Sequence, residues 1–249
     1  MRFRFVFLLA LLVMTLTSTA MAQQEEQPDV PVFATQIVAE YHHDTNALTM
    51  GLLWHDGSLY ESTGIAGASS LRRTSITGEN EATRLVDAQY FATGLTLVGD
   101  TLIQLTLRDG LAFTYDIATL ENTGSFSYEG DAIGLCYDGE ALYMSDGTET
   151  IYRRDPETFE VLDTFTVNLN GENLAGIAEL ECVGDHLFAN VLQRRFILRI
   201  NKTSGSVDGL INAALLLPGI GSGENNFLNG IAYNPDSDTF YLTGTLSPT

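Results

Sequence analysis

Short apolar runs recur along the chain, each followed by a turn and then by a strand in which apolar and polar residues alternate. Five segments share this pattern at intervals of roughly 40 to 50 residues: "TMGLLWHDGSLYEST", "ATGLTLVGDTLIQLT", "AIGLCYDGEALYMSD", "IAELECVGDHLFANV" and "LNGIAYNPDSDTFYLTG". Alternation with a period of two predicts β-strands, and the Gly, Asp and Asn residues between the strands predict hairpins. Further strand-turn-strand runs such as "TIYRRDPETFEVLDTFTV" follow the first hairpins, so each unit has material for about four strands.

A repeat of this length and content is typical of a propeller blade. The sequence therefore predicts an all-β protein, a five-bladed β-propeller that forms one domain over residues 33–249. The first strand of each blade of a propeller borders the central axis, so equivalent positions form rings around it. The residues just before the shared Gly or Glu form a first ring: Met50, Thr93, Ile133, Ala178 and Asn229. The far ends of the next strands form a second: Gly64, Leu107, Gly147, Leu192 and Thr245. We expect these positions to contact a ligand on the axis.

The N-terminus has a different pattern. Residues 1–22 place two arginines before an apolar run and end in Ala-Met-Ala, which predicts a signal peptide cleaved near Ala22. Residues 23–32 are polar and predict a flexible leader. We therefore expect export to a periplasmic or extracellular location and no membrane span.

Charge narrows the choice of partners. The chain has a formal charge of −20, and loss of Arg2 and Arg4 with the signal peptide would leave the mature form more acidic still. Such a field repels phosphate backbones, so no nucleic acid partner is expected.

The two cysteines, Cys136 and Cys182, each lie in a strand-like run. Two buried thiols or one disulfide would both fit, and the spacing fits no zinc pattern. No metal site or cofactor is predicted, although a structural calcium ion held by backbone carbonyls would leave no pattern in the sequence.

Several other polar residues have structural interpretations. His42, His43 and Asp44 are expected to order the loop before the first blade, because no further ligands are spaced to complete a metal site. Trp54, the only tryptophan, is expected to pack or anchor a strand end. The pairs Arg72-Arg73 and Arg153-Arg154 fall in outer strands and predict solvated ion pairs.

Motifs over nearly the whole mature chain resemble the plant and bacterial type of glutaminyl-peptide cyclotransferase, or glutaminyl cyclase. They are "HDTNALTMGL", "LYESTGIAGASSLRR", "QYFATGLTLVGDTLIQLT", "GLAFTYDIATL", "YMSDGTETIYRRDPETFEV", "AELECVGDHLFANV" and "LNGIAYNPDSDTFYLTG". The resemblance implies a five-bladed propeller that converts an N-terminal glutamine of a peptide or protein into pyroglutamate and releases ammonia. That reaction needs a group to take a proton from the attacking amine and return one to the leaving nitrogen, and a carboxylate can do both.

The same resemblance implies that the site has lost most of its chemistry. The family has an acid in "FGEGL", a glutamine in "FTQGL" and an asparagine in "NELE", where this chain has Thr93, Met50 and Ala178. Family tryptophans in "LTW", "EGWGL" and "NVW" and the lysine in "TGKLWP" correspond to Leu107, Ile133, Leu192 and Thr245. Phe91 and Asn229 keep the family residue.

Three hypotheses follow from these positions. In the first, the chain is a family member whose cyclase activity is weak or lost, because a threonine hydroxyl does not titrate near neutral pH. In the second, another acid has taken over, with the candidates Glu61, Asp131, Asp146 and Glu179. In the third, the chain is a non-catalytic exported propeller that binds a peptide or small ligand in an apolar axial pocket.

The last blade is predicted to lack strand material. The family continues beyond "TGKLWP", whereas this sequence ends at Thr249. Residues 33–41 are therefore a candidate to supply a strand to that blade, which would cover an open edge.

Overall fold

A computed structural model describes residues 30–214 and 227–246; the predicted signal peptide, most of the predicted leader and the last three residues lie outside these ranges. No helix occurs in the described residues, and none there could cross a membrane. The strands are β1 (Val32–Phe33), β2 (Thr49–His55), β3 (Ser58–Thr63), β4 (Ser70–Ser75), β5 (Asn80–Leu85), β6 (Ala92–Val98), β7 (Thr101–Thr106), β8 (Leu111–Asp116), β9 (Asn122–Ser127), β10 (Gly134–Tyr137), β11 (Leu142–Ser145), β12 (Thr150–Arg154), β13 (Val161–Thr166), β14 (Asn168–Leu169), β15 (Glu172–Asn173), β16 (Ile177–Val183), β17 (His186–Val191), β18 (Phe196–Asn201), β19 (Val207–Asn212), β20 (Leu228–Asn234) and β21 (Thr239–Gly244).

Consecutive strands form antiparallel sheets that surround one axis. The sheets are β2-β3-β4-β5, β6-β7-β8-β9, β10-β11-β12-β13, β16-β17-β18-β19 and the two-stranded β20-β21. Their innermost strands contact one another in the order β2, β6, β10, β16, β20, and β20 contacts β2 again. This closed ring of sheets confirms the predicted all-β propeller architecture, and the first four sheets have the four strands of a complete blade.

The innermost strands approach so closely that glycine is needed at the shared position. A Cβ atom on Gly51 would lie 2.7 Å from the backbone nitrogen of Leu95, and one on Gly94 would lie 2.7 Å from that of Leu135. Gly51, Gly94 and Gly134 therefore let the next inner strand pack against their backbone. The fourth sheet differs, because Glu179 occupies this position and its side chain extends toward the axis.

The N-terminal strand does not lie where it was expected. Residues 34–41 form no strand, and β1 pairs in parallel with β19 at the outer edge of the fourth sheet rather than with β21. Leu210 donates its backbone N–H to the carbonyl of Pro31, and the Arg199 guanidinium lies 4.5 Å from the centre of the Phe33 ring. These contacts hold β1 on the fourth sheet. Pro31 and Val32, at the end of the predicted leader, are therefore bound to the propeller.

The two cysteines form one disulfide between neighbouring sheets. Cys136 lies on β10 and Cys182 on β16, with their Cα atoms 5.5 Å apart. Of the two alternatives compatible with the sequence, the structure has the bridge. It joins the inner strands of the third and fourth sheets beside the largest apolar cluster, which includes Tyr143 and Leu187.

One hairpin lies outside the repeat. β14 and β15 pair across Asn170 and Gly171, which both have positive φ angles, as a tight hairpin turn requires. Sequence analysis did not single out this hairpin, although its Asn-Gly dipeptide is the usual signal for such a turn.

The arginine pairs agree with expectation at three positions of four. Arg72, Arg73 and Arg153 form ion pairs with Asp44, Glu81 and Asp163. The expectation is wrong for Arg154, which is 4% exposed and has its guanidinium over the rings of three aromatic residues: Tyr128, Tyr152 and Phe159. Packing between the second and third sheets draws this side chain inward, and burial lowers its pKa.

Candidate ligand site at the mouth of the axis

Hairpin pairing brings the two predicted rings to the same end of the sheets. Thr49 pairs with Thr63, Ala92 with Thr106 and Ile177 with Val191, so each first-ring residue starts an inner strand beside the end of its partner strand. The first-ring residues of four sheets lie in β-bulges: Met50, Thr93, Ala178 and Asn229. A bulge leaves a residue outside the regular ladder and redirects its side chain. We call this end of the ring the axial mouth.

Apolar side chains cover two glycines at the axial mouth. A Cβ atom on Gly64 would clash with the side chains of Met50 and Phe91. A Cβ atom on Gly147 would lie 2.9 Å from Cδ1 of Ile133 and 3.9 Å from Cδ1 of Leu192. Residues from neighbouring sheets thus meet over these glycines, as the ring model predicts.

Thr93, where the resemblance implies an acid, is completely buried. Its Oγ1 donates a hydrogen bond of 2.9 Å to the carbonyl oxygen of Ala132 at the start of the third sheet. Across the described ranges, no carboxylate is hydrogen-bonded to Thr93. The hydroxyl therefore joins two sheets and is not part of an acid-base pair.

The other polar ring residues also bind backbone. Asn229 Nδ2 donates to the carbonyl of Thr49 at 2.9 Å and lies 3.9 Å from the Met50 sulfur. Thr245 Oγ1 accepts from the backbone N–H of Phe227 at 2.8 Å. Thr49 was not singled out from the sequence, and its place one residue before Met50 is the only signal that could have indicated it.

Accessibility divides the predicted site residues into two groups. Ile133, Ala178, Asn229 and Thr245 are buried like Thr93, whereas Met50, Phe91 and Leu107 are partly exposed. Leu192 is 46% exposed, a large fraction for a leucine. A ligand that approaches the axial mouth would therefore contact apolar side chains first.

The alternative acids serve other parts of the fold. Asp131 is exposed and faces Arg108 at 3.7 Å, and Asp146 accepts hydrogen bonds from Thr148 and Tyr152 within its own sheet. Glu61 is buried, where it accepts a hydrogen bond of 2.5 Å from Thr49 Oγ1 and lies 3.0 Å from His43 Nε2.

Glu179 lies deepest of the four. Oε1 accepts from the backbone N–H of Leu52 at 2.5 Å and Oε2 from that of Ile231 at 2.6 Å, so the carboxyl group joins three innermost strands. Burial raises its pKa well above the usual value for glutamate, against the opposing effect of these backbone donors.

The loop before the first sheet has the ordering contacts expected of it. Asp44 accepts from the backbone N–H and the side chain of Asn46 and from Arg72. These donors hold the pKa of Asp44 below its usual value. Within the parts of the chain that the structure describes, no group of three or more His, Cys, Asp or Glu residues is placed to hold a metal ion.

The fold and this geometry define a class: a small all-β propeller whose axial mouth is formed by the starts of its inner strands, four of which are bulged. The family model described as "Glutamine cyclotransferase" matches residues 9–249. The chain belongs to the glutamine cyclotransferase family.

Two relatives support this assignment. A glutaminyl-peptide cyclotransferase of Arabidopsis thaliana is 40% identical over 219 residues, which cover 86% of this chain and 68% of the relative. The crystal structure of the Myxococcus xanthus glutaminyl cyclase superimposes with a TM-score of 0.80 at 34% identity, over 86% of this chain and 92% of the other.

Proposed function

We propose that this chain keeps the propeller of its family but cyclises N-terminal glutamine weakly or not at all. The observation that carries the proposal is the Thr93 hydroxyl, which is buried and donates to the Ala132 carbonyl where the reaction needs a proton-transferring acid. A positioned acid-base group contributes roughly 10²- to 10⁴-fold to such a rate. Loss of the residues that orient the substrate would lower the rate further.

A relocated acid is the weaker hypothesis. Both oxygens of Glu179 accept backbone hydrogen bonds, and Glu61 is bound by Thr49 and His43. Both groups are also buried, so a substrate amine would reach either carboxyl group only if the surrounding strands moved apart. Asp131 is exposed beside Arg108, outside the buried part of the ring.

The direct test is an assay of ammonia release and of the accompanying mass loss with a glutamine-initiated peptide. We expect release at the uncatalysed rate or only slightly above it, with the Arabidopsis relative as a positive control under the same conditions. Turnover at an ordinary enzymatic rate, on the order of 1 s⁻¹ or more, would overturn the proposal. If turnover is seen, Glu61→Gln and Glu179→Gln would show whether either acid supports it.

A second candidate function is ligand binding without catalysis. The exposed Leu192 and the partly exposed Met50, Phe91 and Leu107 favour it, because they give the axial mouth an apolar lining. A peptide with an apolar N-terminal residue, or a small apolar ligand, would fit this chemistry. In thermal-shift measurements, such peptides should raise the unfolding temperature of the wild type more than that of Leu192→Asp. Equal increases for both proteins would argue against the axial mouth as the site.

Further assignments of blade number, domain bounds, location and partners belong to the same proposal. The two-stranded sheet β20-β21 closes the ring and is best explained as the inner half of a fifth blade. The domain would then extend over residues 33–249, after a signal peptide (1–22) and a leader (23–32). We expect export, no cofactor and no nucleic acid partner. The protein recovered from an exported fraction should have the mass of a chain that begins at Gln23.

A further inference from the structure

We propose that a polar cleft between the third and fourth sheets is a second binding site, and that its ligand is a neutral saccharide. The cleft has a volume of about 420 Å³, within the range of small-molecule sites. Its lining is Tyr143, Arg153, Asp163, Phe165, Asp185 and Lys202, with Thr164 and Thr203. Asp185 and Lys202 follow the ends of β16 and β18, opposite the axial mouth, so the proposal does not depend on whether the chain cyclises glutamine.

The repeat shows which side chains make this cleft unusual. Tyr143, Arg153 and Asp163 pair across β11, β12 and β13, and the first sheet has Tyr60, Arg73 and Ala82 in the same row. Facing these rows, Lys202 donates its backbone N–H to the backbone carbonyl of Asp185 at 3.1 Å. Ile117 makes the same bond to the backbone carbonyl of Asp100 in the second sheet.

Between the first and second sheets, the positions equivalent to Tyr143, Asp163 and Lys202 are packed together. Tyr60, Ala82 and Ile117 belong to one hydrophobic cluster. Asp163 and Lys202 therefore replace an alanine and an isoleucine at matching places. Charged residues therefore line the space that apolar packing fills between the first and second sheets.

The cleft is held in shape by bonds between its two walls. Lys202 Nζ contacts Asp138 Oδ2 at 2.6 Å and lies 5.3 Å from the centre of the Tyr143 ring, so it connects the fourth sheet to the third. The Cys136–Cys182 disulfide joins the same two sheets, and Cys136 pairs with Tyr143. A site with walls fixed in this way loses little entropy when it binds a ligand.

The arrangement of charges favours a neutral ligand with many hydroxyl groups. Arg153 is paired with Asp163 through Nε and Nη2, and Lys202 with Asp138, so a charged ligand would compete with existing ion pairs. Hydroxyl groups can instead donate to the remaining carboxylate lone pairs and accept from the remaining N–H groups. The Phe165 ring lies edge-on to that of Tyr143, with the ring centres 6.5 Å apart. It adds an apolar surface for the C–H face of a sugar.

Nuclear magnetic resonance titration of the full chain tests this assignment, with maltose, cellobiose and N,N′-diacetylchitobiose as probes. We expect at least one of them to cause saturable shifts in the amides of 163–165 and 202–203, with a dissociation constant of millimolar order. The double variant D163A/K202I, which carries the residues of the first sheet pair, should bind at least tenfold more weakly.

Matched single variants show whether weaker binding comes from the cleft or from a folding defect. Asp185→Ala should weaken binding, whereas Asp100→Ala, at the equivalent turn of the second sheet, should not. The proposal fails if no probe gives saturable shifts at about 50 mM, or if Asp185→Ala and D163A/K202I bind like the wild type. Saturable binding of the dipeptide glycylglutamine, but of no sugar, would overturn the saccharide assignment.

Discussion

Glu179 and Glu181 stand two positions apart on β16, so their side chains lie on the same face of the strand. Glu181 accepts a hydrogen bond of 3.0 Å from the backbone N–H of Tyr233 on β20, and burial raises its pKa to about 8. Together with Glu179, it places two carboxyl groups with raised pKa values at the junction of β16 and β20. The protonated forms are therefore favoured in the folded state.

Stability should fall as the pH rises because of these two groups. A carboxyl group with a folded pKa of about 8 and an ordinary value of 4.5 binds more protons when folded than when unfolded. For Glu181, the free energy of unfolding then decreases by up to about 1.4 kcal/mol per pH unit between those values, and the raised pKa of Glu179 acts in the same direction. Denaturant unfolding of Glu181→Gln and of the wild type from pH 4 to pH 9 should show the variant gaining relative stability above pH 5. Glu129→Gln, at an exposed position, is the control; a pH-independent difference for Glu181→Gln would contradict the assignment.

Single residues also mark the limit of sequence reasoning. The ring positions follow from the repeat, because a shared glycine, replaced by Glu179 in the fourth unit, identifies the start of each inner strand. Neither the bond from Thr93 to Ala132 nor the inward turn of Arg154 could be predicted, since both depend on the neighbouring sheet. Local pattern predicts the strand on which a side chain lies but not the atoms that it contacts across a sheet boundary.

At the scale of elements, hairpins were predictable and contacts between sheets were not. The pairings β2-β3, β6-β7 and β16-β17 follow from alternation and turn residues. The parallel pairing of β1 with β19 brings together residues about 180 positions apart, which no local signal encodes. The sequence also could not decide between a disulfide and two free thiols, because the two cysteines lie on strands of different sheets.

That disulfide should contribute measurably to stability. It closes a loop of 46 residues, and restricting a loop of that length in the unfolded chain corresponds to about 4 kcal/mol. The double variant C136A/C182A should therefore unfold at a lower denaturant concentration while it retains its β-sheet circular dichroism. Adding a reductant to the wild type should give the same shift and should not affect the variant. Equal midpoints for the oxidised wild type and the variant would exclude a stabilising bridge.

The whole molecule combines a closed ring with a strong negative charge. Asp and Glu total 32 against 12 Lys and Arg, so most carboxylates have no cationic partner available. Repulsion among them opposes the compact state, and added salt screens it.

The midpoint of thermal unfolding should therefore rise when sodium chloride increases from about 0.02 to 0.5 M at pH 7. The same experiment near pH 4.3, the isoelectric point, provides the control, because there the net charge is close to zero. The increase should nearly vanish at that pH. A salt effect of equal size at both pH values would point to a cause other than charge repulsion.

Glu179 also determines how the interior of the ring can be reached. Its carboxyl group binds the backbones of β2 and β20 at the level where Gly51, Gly94 and Gly134 draw the inner strands together. The Glu179 carboxyl group therefore narrows the axis between β16, β2 and β20. A molecule that enters at the axial mouth and is stopped at this group would have to leave by the same opening, so an occupant that is released slowly would delay the next one.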